Sequence, residues 1–126
     1  MYSLGIRDRL TVSHSLKGAV FGPAQSLHQN TYLVEAEFST PRLDTHNVVL
    51  EMGSASQTVT DVLSQLNDRC LDEMEQFARQ NTTTEFLAQW VFEEIRKRLP
   101  HGFRGALKIT LHETDRLSAG YAALIE

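Results

Sequence analysis

The stretch His28-Gln29-Asn30-Thr31-Tyr32-Leu33-Val34-Glu35-Ala36-Glu37-Phe38 sets the reading of this chain. His28, Asn30, Tyr32, Val34, Ala36 and Phe38 share one face of an extended segment, while Glu35 and Glu37 lie on the other. That alternation is the signature of a half-buried strand. Upstream, Leu10, Val12, His14 and Leu16 alternate with Thr11, Ser13 and Ser15 and predict a neighbouring strand. Gly18, Gly22 and Pro23 mark the loop between the two. Downstream, Thr40, Pro41 and Asp44 read as a turn, and Val48-Val49-Leu50 as a further extended piece or the approach to a helix.

From about Thr58 the period changes. Val59, Leu63, Leu66, Cys70, Met74 and Phe77 recur three or four apart, which predicts one helix with an apolar stripe and places Cys70 in core packing. A second helix is expected after Asn81, opened by a capping box in which the Thr82 hydroxyl and the Glu85 carboxylate each take a free backbone N–H. Leu87, Val91, Ile95 and Leu99 form its buried row, with Phe86 and Trp90 beside them, and Pro100-His101-Gly102 ends it. Leu107, Ile109, Leu111 and Glu113 alternate on a late strand, and Tyr121 to Ile125 suits a closing one. The order strand, strand, helix, helix, strand, strand lacks a strand–helix–strand rhythm. It predicts an α+β fold, an antiparallel β-sheet with two helices packed on one face (ββααββ), as a single domain over residues 1–126.

Composition bounds the partners. With 41% hydrophobic and 22% charged residues the chain is of ordinary globular type, not disordered. Twelve Lys plus Arg against 16 Asp plus Glu leave a net charge of −4, which gives no basic surface for nucleic acid or an anionic membrane. The single Cys forbids an intrachain disulfide, and Arg7, Asp8, Arg9 and Lys17 stand where a signal peptide needs an apolar stretch; both point to a cytoplasmic protein. No run approaches the ~18 apolar residues of a membrane span.

Three polar residues sit where the pattern wants apolar ones: His14, His28 and Glu113. An unpaired buried charge is costly, so each needs a metal, a ligand or a hydrogen-bond partner. His28 and Asn30, two apart, point the same way, as a strand presents two ligands to one metal, and His14 on the neighbouring strand offers a third. The same residues also read as core histidines satisfied by hydrogen bonds, and Asn is a weaker zinc ligand than His, Cys or carboxylate. A fixed carboxylate at Glu113 accepts two N–H groups from a planar heterocycle such as a guanine or pterin edge; at a frayed strand end it is simply solvated.

The run Phe21-Gly22-Pro23-Ala24-Gln25-Ser26-Leu27-His28-Gln29-Asn30-Thr31-Tyr32 resembles a segment of the 6-pyruvoyl-tetrahydropterin and 6-carboxytetrahydropterin synthase family, in which a cysteine is followed by His-Gly-His and then Tyr. His14 resembles that family's first metal histidine. Asn81-Thr82-Thr83-Thr84-Glu85-Phe86-Leu87-Ala88 is similar to its Asn-Pro-Thr-x-Glu-Asn-Leu-Ala helix start. His112-Glu113-Thr114, with Tyr121 following, is similar to its late Glu-Thr strand, where the Glu anchors the pterin ring. The resemblance implies a T-fold whose sheets assemble into a barrel, and a homo-oligomer of hexameric order. It also implies zinc held by three histidines and a lyase reaction on dihydroneopterin triphosphate, in a biopterin or queuosine pathway, with a thiolate and an Asp-His pair moving protons.

Against that pattern, the metal positions here are His14, His28 and Asn30, and Ala24 stands at the cysteine position. Asn67-Asp68 aligns with the Asp-His pair, which leaves Asp68 as the candidate catalytic base, with a proton affinity far below that of histidine unless burial raises it. The pterin-binding positions Thr83, Thr84 and Glu113 are kept. The implied function is a divergent member of the family that binds a pterin, with altered or reduced carbon–oxygen or carbon–carbon lyase chemistry. The alternative is a non-catalytic T-fold oligomer acting as a scaffold or partner-binding module.

Overall fold

A computed structural model describes residues 1–126. Its first two strands, β1 (Tyr2–His14) and β2 (His28–Thr40), pair antiparallel along their whole length, Tyr2 opposite Thr40 and His14 opposite His28. β1 begins well before Leu10 because Arg7, Asp8 and Arg9 interrupt its apolar alternation without ending the strand. Arg7 and Arg9 are exposed on the outer face, whereas Asp8 falls on the apolar face and accepts a hydrogen bond from the Thr60 hydroxyl at 3.2 Å.

The first helix, α1 (Met52–Ser64), starts earlier than Thr58 and stops long before Phe77. Glu51 caps its start, accepting from the N–H groups of Gly53 at 2.6 Å and Ser54 at 3.0 Å. Asn67 and Asp68 account for the stop. Asp68 adopts a left-handed φ of 61°, a conformation that Asp tolerates better than most residues. Its N–H donates to the Thr11 carbonyl at 2.7 Å, and the Asn67 side-chain oxygen accepts from the Thr11 N–H at 2.9 Å. A two-residue strand, β3 (Arg69–Cys70), then runs parallel to β1, so Cys70 lies half-buried on a strand and not on a helical stripe. Leu66 and Phe77 of the predicted stripe are buried all the same, Phe77 from a short 3-10 turn at Glu75–Phe77, and Leu71, outside that stripe, is buried from another at Leu71–Glu73. The apolar spacing persists where the helix does not.

In α2 (Thr84–Arg98) the cap is Thr83, whose hydroxyl accepts from the Phe86 N–H at 3.1 Å. The box expected between Thr82 and Glu85 is therefore not formed. Glu85 in the first turn and Arg96, Lys97 and Arg98 in the last suit the helix dipole. β4 (Gly105–His112) pairs with β2, and β5 (Ser118–Ile125) pairs with β4, giving the sheet order β3-β1-β2-β4-β5. α1 packs on β1 and α2 on β4 and β5, both on one face, and 23 buried residues form one core cluster between sheet and helices. Phe77 plugs its edge, with ring centroids 5.9 Å from Phe86 and 6.0 Å from Trp90. No helix is long and apolar enough to cross a membrane.

The other face of the sheet is polar. Arg7 Nε donates to Glu35 at 3.0 Å, and Glu35 also pairs with His112 Nε2, so a line of polar contacts crosses β1, β2 and β4. The His112 bond first, helped by the bond and charge of Arg7, holds the Glu35 carboxyl below its ordinary value against the opposing effect of burial. At the sheet margins, β5 and the part of β1 from Tyr2 to Leu10 have no strand beyond them.

Two predictions follow from this packing. A Cβ on Gly105 would lie 2.0 Å from the Ser39 carbonyl, whereas one on Gly5 would meet nothing within 4 Å. Gly105→Ala is expected to lose about 1–3 kcal/mol in urea denaturation and Gly5→Ala almost nothing; equal midpoints would contradict this close approach of β2 and β4. Because the Glu35 pKa is depressed, its stabilisation is present above about pH 4.5 and lost as pH falls through the folded value. Glu35→Gln should flatten that part of the stability profile below pH 4.5, read from urea midpoints in a pH series.

Candidate functional site

The β1–β2 ladder ends at His14 and His28, setting two imidazoles side by side on the apolar face with ring centroids 4.7 Å apart. One nitrogen of each ring is held. His28 Nδ1 lies 2.8 Å from the Ser26 carbonyl. A carbonyl only accepts, so Nδ1 carries a proton, and in the neutral ring Nε2 keeps its lone pair. His14 Nδ1 bonds the Thr82 hydroxyl at 2.8 Å, with both residues buried. Here is the role of Thr82: it orients His14 and does not cap α2.

Asn30 joins the two sides of the site. Its Nδ2 lies 3.3 Å from His14 Nε2 and donates to the Tyr32 hydroxyl at 3.1 Å. Burial first, then the neighbouring His28, lowers the His14 pKa and favours the neutral ring, against an opposing pull from the Asp72 carboxylate. Burial raises the Tyr32 phenol, with Glu113 and Glu85 adding to it and hydrogen bonds from Asn30 and Thr84 opposing. The phenol therefore keeps its proton.

The walls are built from three places. After β1, Ser15 is held by Asp72 through bonds of 3.2 and 2.5 Å, and the Lys17 backbone by the Asn81 amide through bonds of 2.8 and 2.9 Å. Gly18 and Gly22, at φ 132° and 53°, make the turns that let the loop fold back, and Leu16 N–H closes it on the Ala24 carbonyl at 3.0 Å. Phe21 and Ala24 thereby line the pocket. The start of α2 contributes Thr83, Thr84 and Glu85, and the β4–β5 turn contributes Glu113. The pocket volume is about 170 Å³. Pockets for drug-sized ligands run ~300–1,000 Å³, so this one is small, but it stands half open to solvent and a ligand can extend beyond it.

His14, His28, Asn30, Thr83, Thr84 and Glu113 all border this pocket. Asp68 does not; it sits exposed in the turn beside Thr11. Glu113 is exposed on the rim, not buried at the end of a strand: β4 stops at His112, and the Glu113 N–H closes the following turn on the Leu117 carbonyl at 2.9 Å. Sequence reasoning missed Thr82, Glu85 and Tyr32 as parts of the site. The run Thr82-Thr83-Thr84 held the signal, since moving the cap by one hydroxyl frees Thr82 for His14 and Glu85 for the pocket.

A zinc site of three nitrogens does not fit these residues. Two imidazoles and a primary amide face one another, and no three His, Cys, Asp or Glu side chains cluster anywhere in the chain. In either tautomer His14 Nε2 is engaged by Asn30, accepting from its Nδ2 or, with the amide turned, donating to its Oδ1.

A family model described as 6-pyruvoyl tetrahydropterin synthase matches residues 3–123. Among solved structures, the 6-pyruvoyl tetrahydropterin synthase of Caenorhabditis elegans is similar with a TM-score of 0.83 and 20% identity over 97% of this chain and 95% of that one. The Plasmodium falciparum enzyme of the same name gives a TM-score of 0.80 and 11% identity over 98% of each chain. A Plasmodium vivax form, in which a glutamate named as a catalytic residue is replaced by cysteine, gives 0.80 and 13% over 98% of each. No curated protein matches by sequence.

Removing the Thr82 hydroxyl tests the architecture of the site. Thr82→Val keeps the shape but strands a buried imidazole nitrogen, and should lose about 1–3 kcal/mol in urea denaturation, with Thr82→Ser close to the native protein. A valine variant as stable as the native chain would show that this bond contributes nothing.

Proposed function

The chain belongs to the 6-pyruvoyl tetrahydropterin synthase family, and from that premise we propose that it binds a reduced pterin of the dihydroneopterin type, with lyase chemistry altered or reduced. The observation that carries this reading is the grouping of Glu113 and Glu85 with the Thr83 and Thr84 hydroxyls around one small pocket. A pterin edge presents an amino group and a ring N–H side by side, which a carboxylate accepts in pairs. Its keto oxygen suits the hydroxyls and free N–H groups at the start of α2.

Ala24 favours the second reading. It lines the pocket where the resemblance puts a thiolate, so no sulfur faces the ligand, as a non-catalytic scaffold or partner-binding oligomer would permit. Where catalysis survives, proton transfer falls to a carboxylate, as the glutamate of the Plasmodium vivax protein suggests. Open margins at β5 and at β1 suit edge-to-edge pairing of copies into a homo-oligomer of hexameric order. Such pairing brings Asp68, beside β3, next to a neighbouring chain. A single half-buried cysteine accords with a cytoplasmic setting.

Calorimetric titration with 7,8-dihydroneopterin tests the reading. Glu113→Ala, a change on the exposed rim, is expected to weaken binding by roughly 10- to 100-fold, the worth of a pair of charge-assisted hydrogen bonds. Affinity that survives the substitution unchanged refutes it.

A further inference from the structure

We propose that this pocket is a metal-independent site, in which the Asn30 amide and the Tyr32 hydroxyl meet the hydroxyl-bearing part of the ligand where a zinc ion would otherwise lie. The donor set is one nitrogen short. Catalytic zinc sites take three protein ligands, and a neutral amide is a poor substitute for the third. What surrounds the gap is otherwise built as an outer shell: Thr82 and Ser26 each hold one Nδ1, leaving both Nε2 atoms turned inward. Position 30 alone separates this arrangement from a three-histidine site.

Asn30 fills that position with a different chemistry. Its Nδ2 is shared between His14 Nε2 at 3.3 Å and the Tyr32 oxygen at 3.1 Å, while its Oδ1 has no partner within the chain. With the Asn30 amide so placed, the Tyr32 oxygen accepts from Asn30, which leaves its own proton to give. His28 Nε2 keeps a lone pair, because its Nδ1–H is spent on Ser26. The pocket thus sets out an acceptor, a donor and a second acceptor. Vicinal hydroxyls, each both donor and acceptor, match that sequence, so the ligand class is a planar heterocycle carrying a short polyol chain. Only the nature of the ligand rests on the pterin reading; the absence of a tight metal site does not.

The full chain and its Asn30→His variant, both produced with added zinc and dialysed, decide the matter by elemental analysis and chelator competition. The native protein should hold zinc well below stoichiometry, and Asn30→His about one ion per chain. Outer-shell changes alone shift zinc affinity 10- to 100-fold, so a restored ligand should tighten it by at least ~100-fold. Stoichiometric zinc in the native protein, or a folded histidine variant that gains none, overturns the proposal. Titration of the native protein with 7,8-dihydroneopterin, with and without EDTA, adds a readout that needs no variant: binding indifferent to EDTA supports the proposal, and binding abolished by it overturns it. Should dihydroneopterin fail to bind under both conditions, the pterin reading falls while the zinc content still decides this one.

Discussion

The unbroken antiparallel ladder between β1 and β2 is the constraint on which the rest of this molecule hangs. Side chains directly opposite in such a ladder lie on one face within ~4.5–5.5 Å, so the register that sets Tyr2 against Thr40 also sets His14 against His28. A slip of one residue would move every inward side chain to solvent and separate the two rings. Core and pocket are therefore two ends of one register. Val34, Ala36 and Phe38 hold it from below, and the pocket residues stand where the apolar column runs out.

This chain shows which parts of an α+β T-fold are legible in residues alone. β2, β4 and α2 could be read because their apolar periods are long and uninterrupted. β1 was half-hidden, since Arg7 and Arg9 cost nothing on an open face and Asp8 finds Thr60 on the closed one. The end of α1 was hidden for a different reason. Leu66, Cys70, Met74 and Phe77 keep helical spacing by coincidence, while Leu66 and Phe77 bury themselves from turns. Only Asn67-Asp68 betrays the break, and its cause lies in a distant strand edge whose Thr11 N–H and carbonyl needed partners.

The site was legible as residue types and not as roles. His14, His28, Asn30, Thr83, Thr84 and Glu113 stand out because each breaks a pattern or matches a motif. Thr82 and Glu85 were absorbed by a local explanation, the capping box, that accounted for both at once. Tertiary structure assigns the cap to Thr83 and so releases a hydroxyl for a buried imidazole and a carboxylate for the pocket. No local rule chooses among three consecutive threonines; the choice is made by where His14 arrives from the other end of the chain.

The two bare margins of the sheet differ in a way that bears on what a freshly folded chain can pair with. An open strand edge is a template on which any extended polypeptide can add itself, the first step toward aggregation. The edge at β5 runs Ser118 to Ile125 without a single charge, whereas the edge at β1 carries Arg7, Asp8 and Arg9 at its centre. Those three residues act as gatekeepers: they repel their own kind and disfavour stacking of like edges. A charged margin facing an uncharged one makes head-to-tail addition the tolerated encounter, and such addition closes into rings when the rotation allows. The charges that obscure β1 in the sequence thus serve to keep a freshly made sheet from joining the wrong neighbour.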